Sequence, residues 1–531
     1  MKRMTIIVLA FILAVVLAAG CSSGNEVNSP SGNTNKDASS TGQGSTAGEK
    51  GTGDSTDKNG SDKPAVIKVF MMGGAKFPEG QDINENPWTE MIEKENNIDL
   101  QIDYGPSAPD EFMSKLNLKI ASNDIPDLFL IPSSYQNWLM ENAELGALME
   151  LDGKLDPYSN IMNAVYPESW EAVKYNGKIY AIPVLNDGNK ATDNLYIRKD
   201  WLDRLKLDVP KTLEDYEQVI KAFRDEDPDG NGKNDTYAMV AYDNMLGWSH
   251  LFGAFGVVPG FWVEKEGQLV ISDIQPEMKD ALAYIHKLYK EKLLDNEWPI
   301  TKIAALKEKV ANNQTGIFEG SWAAPRGEIN TSVQNDPNAE WIAIAPPTGP
   351  NGKQGVFGGP YFKSIAVISS QAKHPDAILK MLNWMAVPDA MDKFVFGFGD
   401  LGEGVLYDIV DGKYALNFEN HNKYGYRQQL MYMQPKELNE KKMESLGAQF
   451  DLVGTIMHSV QYAIPNLFMG APTPSMIENM SSLEKLRSET FTKIIVGELP
   501  VDAFDEFVQE YNAKGGEVIT QEVQEWYTSS K

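Results

Sequence analysis

The first part of the folded chain alternates between short apolar runs and longer segments of helical periodicity. Residues 65–72, AVIKVFMM, form a short run rich in apolar residues, which is typical of a buried strand. Residues 86–104 and 108–131 each read as a helix followed by a strand, and the second contains a turn near residue 123. Strands that alternate with helices predict an α/β fold with a largely parallel sheet. A chain of 531 residues has room for two or three domains.

Further helices are predicted by apolar residues that recur at helical spacing. Thr212 precedes one such segment and Asp215 lies in its first turn, which is the pattern of a capped helix N-terminus. Pro388 should interrupt another, because proline lacks the backbone donor that a helix interior needs. The predicted helices cover 212–226, 278–294 and 375–395, followed by a mostly helical C-terminal part from about residue 438.

The N-terminus has the pattern of a bacterial lipoprotein signal. Two basic residues precede an apolar run at 4–19 that is too short for a comfortable membrane span and ends Leu-Ala-Ala-Gly-Cys at 17–21. We therefore predict a signal peptide at 1–20 and acylation, including palmitate, on Cys21. The alternative is an ordinary secretory signal followed by a free thiol, since Ala18 stands where the best lipoprotein signals have Leu. Cys21 is the sole cysteine, so no intramolecular disulfide can form.

Residues 21–63 consist mostly of Ser, Gly, Thr, Asn, Asp and Lys and are predicted to be a disordered tether. Such a tether would hold a folded, monomeric protein at the outer face of the cell membrane. The net charge of −27 argues against nucleic acid as a partner and against adhesion to anionic lipid.

An acidic loop at 225–236, DEDPDGNGKNDT, has the residue types of a calcium site. Calcium takes six to eight oxygens, and a twelve-residue loop supplies them at alternate positions around a glycine turn. Registers starting at Asp225 or at Asp227 both fit, and the second places oxygen-bearing groups at more of the ligand positions. A polar turn that binds nothing is the alternative. Because there is one acidic loop and no paired second hand, we predict a structural calcium site at the end of the 212–226 helix rather than a sensor.

An ordered set of motifs resembles a known family. The motifs are YNGKIYAIPV at 175–184, NLYIRKDWLDRLKLDVPKTLEDYEQVIKAF at 194–223, QTGIFEGSWAAP at 314–325, WIAIAPPTGPNGKQG at 341–355 and SIAVISSQAKHPDAILKMLNW at 364–384. Together they resemble the extracellular solute-binding proteins (family 1) of bacterial ABC carbohydrate importers, of the lipoprotein type. The helical C-terminus and the acidic loop are similar to those of the alginate-oligosaccharide-binding proteins, and the wider cluster includes maltose-binding protein.

The resemblance implies an α/β, two-lobe periplasmic-binding-protein-like fold of type II, with a hinge between the lobes and a helical C-terminus. The chain should cross between lobes near 181–184, 341–347 and 400–412. The implied N-terminal lobe comprises 64–182 with 348–405, and the implied C-terminal lobe comprises 183–347 with 406–531. An oligosaccharide would bind between them, and hinge closure would precede delivery to the permease.

The resemblance also bears on the site residues. The related acidic loops favour the register from Asp227, and Thr236 stands where a bidentate Glu follows in those relatives. The implied calcium ligands are Asp227, Asp229, Asn231, the Lys233 carbonyl, Asp235 and Thr236.

Sugars present apolar faces and hydroxyl edges, so a sugar site needs flat aromatic rings and polar neighbours. Trp322 aligns with a family tryptophan that stacks on sugar. Trp88 follows a Gly/Asn/Pro-rich loop after the first strand, where α/β sheets often bind ligands. Trp201 and Trp384 are expected to be structural. The remaining ligand candidates, chosen for their position near these rings or near a crossing, are Asn186, Asp187, Asn244, Trp248, Glu319, Arg326 and Tyr361.

The sequence contains no common catalytic motif. There is no His-Glu-x-x-His pair, Gly-x-Ser-x-Gly elbow or phosphate-binding loop, so we predict that the protein is not an enzyme. Two alternatives stay open. One is a binding lipoprotein for a peptide or polyamine, and the other is a surface-anchored polysaccharide-degrading enzyme that uses a carboxylate pair.

Overall fold

The computed structural model describes residues 63–185, 193–233, 235–242, 245, 247–359 and 361–529.

Its elements fall into four consecutive stretches of chain. The first contains β1 (Ala65–Met72), α1 (Pro87–Asn96), β2 (Ile98–Gly105), α2 (Pro109–Ala121), β3 (Leu128–Pro132), α3 (Gln136–Glu144), α4 (Ser159–Ala164), β4 (Lys174–Tyr175), β5 (Lys178–Ile179) and β6 (Ile182–Val184). The second contains β7 (Asn194–Arg198), α5 (Lys199–Leu205), α6 (Leu213–Asp225), β8 (Tyr237–Met239), α7 (Ser249–Gly253), β9 (Trp262–Lys265), β10 (Gln268–Ile271), α8 (Pro276–Lys290), α9 (Ile303–Ala311), β11 (Thr315–Gly320), α10 (Glu328–Asn335) and β12 (Trp341–Ile344). The third contains β13 (Val356–Phe357), β14 (Ser364–Ile368), α11 (Pro375–Met385), α12 (Pro388–Phe396), β15 (Tyr407–Val410), β16 (Lys413–Leu416), α13 (Phe418–Lys423), α14 (Glu440–Ser445), α15 (Leu452–Gln461) and β17 (Ala463–Ile464). The fourth is helical, with α16 (Pro474–Val496), α17 (Ala503–Tyr511) and α18 (Glu517–Ser529).

Two mixed sheets organise the fold. The first has the strand order β2-β1-β3-β14-β6, in which β1 is parallel to both neighbours and β14 is antiparallel to both of its own. The second has the order β12-β7-β11-β8, in which β7 is antiparallel to both neighbours. Strands β1, β2 and β3, which alternate with helices in the sequence, are parallel to one another as predicted. Strand β14, which joins the first sheet after the chain returns from the second, is the antiparallel strand of the first sheet, and β7 is that of the second.

Each sheet builds its own hydrophobic core. The first core collects buried side chains from residues 67–185 and again from 362–456. The second core collects them from 195–344 and again from 476–523. The second sheet is apolar on both faces, since Leu195 and Ile197 point into the second core while Tyr196 packs with Phe318 in a smaller cluster on the opposite face. This is the period-two alternation of a strand that is covered on both sides.

The chain therefore passes between cores within 185–195, 344–362 and 456–476. The third passage lies later than the predicted 400–412. Leu406, Leu416, Tyr426, Tyr432 and Ile456 all pack in the first core, whereas the sequence-based division placed 406–531 with the second lobe. The passage is late because the β15–β16 hairpin and the helices after it still pack in the first core. The chain crosses to the second core only after α15.

The second and third passages are packed against each other and against α7. Strands β13 and β17 form a short parallel pair, and the Phe357 N–H donates to Ser249 Oγ at 2.9 Å. Gly253 at the end of α7 lies directly on the Gly355 carbonyl, where a Cβ atom would be 2.1 Å from the oxygen. Only glycine permits this approach of two backbones.

The outer edge of the first sheet is occupied by side chains. Strand β2 is terminal in the strand order. The Leu100 N–H donates to Glu93 Oε1 at 2.8 Å, and the Ile102 N–H donates to Asn84 Oδ1 at 2.7 Å. Asn84 Nδ2 donates back to the Ile102 carbonyl at 3.0 Å, so its amide imitates the backbone of a neighbouring strand.

In the described part of the chain, no helix has the length and apolar character needed to cross a membrane.

Candidate functional site

The turn after β11 places one predicted site residue, Trp322, against the first core and another, Arg326, beside α13. Strand β11 is buried along its whole length and ends in a 3-10 turn, Ala324–Arg326. Trp322 lies in this turn region, is half-buried, and packs against the first core although its own strand belongs to the second sheet. Arg326 lies close to α13, with its Cζ 5.4 Å from the ring centroid of the exposed Phe418; the flanking residues Leu416 and Tyr424 pack in or against the first core. An indole from the second sheet thus faces the first core, and a guanidinium lies on the same turn.

The surroundings of Arg326 are cationic. The His421 ring lies 6.4 Å from the Phe418 ring, and His421 Nδ1 accepts a hydrogen bond from Arg427 Nη2 at 2.8 Å. Burial, followed by the charges of Arg427, Lys442 and Arg326, lowers the pKa of His421 to about 4. His421 is therefore neutral at pH 7. Burial also lowers the pKa of Arg326 from its ordinary value.

Arg427 itself has a structural role. It is fully buried and donates to the carbonyls of Phe394 and Val395 at the end of α12 and to those of His421 and Tyr424 around the end of α13. Its guanidinium holds two helix C-termini together, where a positive charge is favourable. These carbonyl groups satisfy the N–H donors of Arg427, but they are uncharged and do not neutralise its positive charge.

Tyr361 lies beside the second passage between cores. It is half-buried, and its ring makes an edge contact with Tyr166 at 6.0 Å between centroids. Burial, and then nearby Glu168, raises the pKa of its hydroxyl. Tyr361 and Trp322 both pack against the first core, so they remain candidates for contact with a ligand.

Asp193 and Asn194 mark the start of β7, next to the third passage. Asn194 Nδ2 donates to the Thr455 carbonyl at 3.1 Å, and its Oδ1 lies 2.8 Å from His458 Nδ1. These contacts join the second sheet to α15, whose apolar side belongs to the first core. Burial, followed by the charges of Glu319 and Glu328, raises the pKa of Asp193 to about 7.

Glu319 was predicted to contact the ligand, but the structure uses its carboxylate inside the second core. It is 3% exposed and accepts hydrogen bonds from the backbone N–H groups of Ser249 and His250 at 3.1 and 2.6 Å. Ser249 Oγ donates to it at 3.0 Å, and the His250 ring nitrogen Nδ1 is a further partner. His250 Nε2 in turn lies 2.8 Å from the Tyr216 hydroxyl. Burial opposes ionisation of Glu319, but His250 and the donated hydrogen bonds outweigh it and lower the carboxyl pKa.

Two predicted tryptophans are core residues instead. Asn86 caps α1 by accepting from the Trp88 and Thr89 N–H groups, which turns the Trp88 ring inward. Trp88 is fully buried, and its indole N–H donates to the Lys393 carbonyl at 3.1 Å. Trp248 is 1% exposed and packs on Trp298 with 4.6 Å between ring centroids. Neither offers a face to a ligand.

Asn186, Asp187, Asn244 and Cys21 lie outside the described residues. Sequence reasoning missed Phe418 and His421. The cue available for them was Phe418 within the run NFENHNKYGY, an aromatic-rich segment that no periodicity assigns to a core.

The acidic loop folds around Asn231. Asp227 accepts from the N–H groups of Asn231 and Gly232, both at 3.0 Å. Asn231 Nδ2 donates to Asp229 at 2.7 Å and to Asp235 at 3.0 Å. Burial, and then the proximity of Asp227 and Asp235, raises the pKa of Asp229. Three carboxylates are therefore crowded together, an arrangement whose repulsion a cation relieves.

Asp225 does not take part in this cluster, because both of its oxygens pair with Arg224 at 2.7 and 2.6 Å. The cluster of carboxylates therefore begins at Asp227 and does not include Asp225. The hydroxyl of Thr236 donates to the Phe223 carbonyl at 2.9 Å, which ties it to α6. Within the described residues, no group of three or more His, Cys, Asp or Glu side chains is preformed to hold a metal ion.

Two cores joined by three passages, with facing side chains between them, are the arrangement of proteins that capture a ligand by closing two lobes. The chain belongs to the bacterial extracellular solute-binding protein family, whose profile matches residues 81–392. Among its relatives, Lipoprotein LipO of Bacillus subtilis (strain 168) is 26% identical over 500 residues, which cover 90% of this chain and 95% of LipO. The polygalacturonan/rhamnogalacturonan-binding protein YtcQ of the same organism is 24% identical over 501 residues, which cover 91% and 96% of the two chains.

Solved structures share the fold at lower identity. An extracellular solute-binding protein from Bifidobacterium longum subsp. infantis superposes with a TM-score of 0.70 at 19% identity and covers 88% of this chain and 99% of its own. The alginate-binding protein AlgQ2, solved without calcium ion, has a TM-score of 0.63 at 22% identity and the same coverage. An EF-hand mutant of the ABC-transporter substrate-binding protein FusA from S. pneumoniae, in complex with fructo-nystose, has a TM-score of 0.65 at 19% identity, again with 88% and 99% coverage.

Proposed function

We propose that this protein is the substrate-binding component of an ABC importer for oligosaccharides, which binds its ligand between the two cores and delivers it to a membrane permease without chemical change. The observation that carries the proposal is the β11 turn. Its Trp322 ring packs against the first core, and its Arg326 guanidinium lies over Phe418 on α13. The ring would be an apolar platform for a sugar, and the guanidinium would donate hydrogen bonds to the sugar's oxygens. The relative YtcQ, which is named as a polygalacturonan/rhamnogalacturonan-binding protein, supports a saccharide ligand.

A thermal-shift screen tests the proposal. A ligand that binds the native state alone raises the melting temperature in proportion to the logarithm of its concentration above Kd. The panel should contain neutral and acidic oligosaccharides together with short peptides and polyamines. Stabilisation by peptides or polyamines alone would point to the non-sugar alternative, and the appearance of new reducing ends during incubation with a bound sugar would point to an enzyme.

We also propose that acylation of Cys21 anchors the protein to the outer face of the membrane. The support is the signal-like N-terminus and the relation to LipO, which is named as a lipoprotein. Globomycin, which blocks lipoprotein signal cleavage, should cause an uncleaved precursor to accumulate, and a Cys21→Ala protein should be released into the medium. Unchanged processing together with release of the wild-type protein would contradict the anchor.

The acidic loop is proposed as a structural calcium site. Asp227, Asp229, Asn231 and Asp235 would supply side-chain oxygens, and Lys233 would supply its carbonyl oxygen. The crowding of three carboxylates supports this assignment, and so does the EF-hand named for FusA. The ion would stabilise the connection between α6 and β8 and would take no part in sugar binding.

A further inference from the structure

We propose that the ligand is an anionic oligosaccharide, and that the Arg326 guanidinium binds a carboxylate group of one of its sugar residues on the same turn as Trp322. This inference rests on the proposed function and specifies its substrate class. It is carried by the position and partners of Arg326 rather than by any relative.

Arg326 is a half-buried guanidinium that has no anionic partner within the part of the chain that the structure describes. Its five N–H donors match carboxylate geometry, and a guanidinium that loses its remaining water needs an opposite charge or several acceptors. The contact that the structure shows is with the face of the Phe418 ring. Among the described residues, no carboxylate forms an ion pair with Arg326, and burial is the sole cause of its lowered pKa.

Its surroundings add the positive charge of Arg427, and no described carboxylate forms an ion pair with either guanidinium. Arg326 and Arg427, together with the neutral ring of His421, form what we call the cationic cluster. Arg427 is bound to carbonyl groups, which satisfy its donors and leave its charge in place. No aspartate or glutamate contributes to the shifted pKa values of Arg326, His421 or Arg427. This is notable in a chain whose net charge is −27, because the protein as a whole repels anions.

Closure of the two lobes makes an anionic partner for Arg326 more important energetically. When the lobes close on a ligand, the remaining water around Arg326 is displaced, and an uncompensated charge in a dry site opposes closure. Hydroxyl groups of a neutral sugar can accept hydrogen bonds from Arg326 but leave its charge unbalanced. A carboxylate balances the charge and forms two parallel hydrogen bonds. The closed state is therefore favoured with an acidic sugar and disfavoured with its neutral counterpart.

The test compares matched ligands on the full-length protein by titration calorimetry. The probes are trigalacturonate, its methyl ester, the neutral galactotriose of the same linkage, and oligomannuronate and oligoguluronate with their neutral counterparts. The variants are Arg326→Gln, Arg326→Lys and the control Lys485→Gln. Lys485 is 78% exposed on α16, and its substitution removes one positive charge without touching the cationic cluster.

Wild-type protein should bind at least one acidic member about 10- to 100-fold more tightly than its ester or neutral counterpart, as expected for a charge-assisted pair. Arg326→Gln should remove that preference, Arg326→Lys should retain part of it, and Lys485→Gln should leave it intact. Added salt should weaken the acidic ligand selectively.

Equal affinity for acidic and neutral members, or an equal loss for both in Arg326→Gln, would overturn the inference while the proposed function stands. Binding of neutral members alone would do the same. Failure of every oligosaccharide to bind a folded protein would overturn the proposed function, and this inference with it.

Discussion

At the scale of single residues, Trp322 is the side chain on which the proposed ligand site depends most. Trp322→Ala should weaken oligosaccharide binding by about 2–4 kcal/mol, or about 30- to 1000-fold, because a stacked platform is removed. Calorimetry with the sugar found in the screen measures this. Trp384→Phe is the control. Trp384 is also half-buried against the first core, but it lies on α11 and its ring is covered by the Lys393 ammonium group, so it is expected to be structural. Wild-type affinity in a folded Trp322→Ala protein would remove Trp322 from the site.

Asp193 gives a pH-dependent prediction. Its pKa is raised to about 7 in the folded state, whereas an unfolded aspartate titrates near 4. The folded state therefore binds more protons between these values, so this group lowers stability as pH rises from about 4 to 7, and its full penalty applies above pH 7.

Asp193→Asn should remove the penalty. We expect it to raise the free energy of unfolding by about 1–3 kcal/mol at pH 8 and by much less at pH 4, since one pKa unit corresponds to about 1.4 kcal/mol. Denaturant unfolding of both proteins at the two pH values measures the difference. An equal effect at pH 4 and pH 8 would show that the carboxyl is not perturbed.

Residue roles were only partly readable from sequence. Trp201 is fully buried, as predicted. Trp88 was misassigned because a loop rich in glycine and asparagine predicts a turn without indicating which way the first helical side chain points, and the Asn86 cap settles that direction. Glu319 was misassigned because its partner His250 is 69 residues away, and no local pattern links them.

At the scale of secondary-structure elements, most local predictions are confirmed. Helix α6 begins with the Thr212–Asp215 capping box, Pro388 separates α11 from α12, and β1 spans the predicted 65–72. These features follow from nearest neighbours in sequence, namely caps, proline and side-chain period. The antiparallel position of β14 in the first sheet does not, because β14 joins that sheet only after the chain has returned from the second core.

The acidic loop yields a prediction for the connection between α6 and β8. Calcium should raise the melting temperature, and chelation should lower it; a 100-fold excess over Kd corresponds to about 2.7 kcal/mol. Asp227→Ala with Asp229→Ala should abolish the response, whereas Asp225→Ala should retain it because Asp225 is paired with Arg224. Identical melting curves with calcium and with chelator would leave the loop as a polar turn.

Gly253 tests the packing of the passages between cores. Gly253→Ala should lower the free energy of unfolding by about 1–3 kcal/mol, because the new Cβ meets the Gly355 carbonyl and the backbones must separate. Gly425→Ala is the control, since no atom lies within 4 Å of its added Cβ. Denaturant titration distinguishes the two, and similar small effects would contradict the tight joint.

At the scale of the whole molecule, we predict closure on ligand binding. A ligand that touches both cores favours the closed state by its differential affinity and shifts the population towards it. Small-angle scattering should show a smaller radius of gyration with saturating oligosaccharide. The Trp322→Ala protein should need correspondingly more ligand for the same change. An unchanged scattering profile at saturation would mean that binding and closure are not coupled.

The third passage between cores shows what the sequence leaves undetermined at this scale. Residues 397–439 contain short turns, one hairpin and one short helix, with no extended periodicity that would assign them to a core. Their side chains reach the first core through contacts that are distant in sequence, such as the hydrogen bond between Tyr426 and Gln81. Family resemblance places the first two passages, whereas the third follows from packing alone.

The protected edge of β2 has a consequence for encounters between copies of this protein. When copies meet at high concentration, an open strand edge would let one copy extend the sheet of the next. Here Asn84 and Glu93 already occupy the outward donors of Ile102 and Leu100. A second copy therefore cannot form backbone hydrogen bonds to these two N–H groups. Copies of this protein at high concentration are therefore not expected to extend one another's first sheet through these two residues.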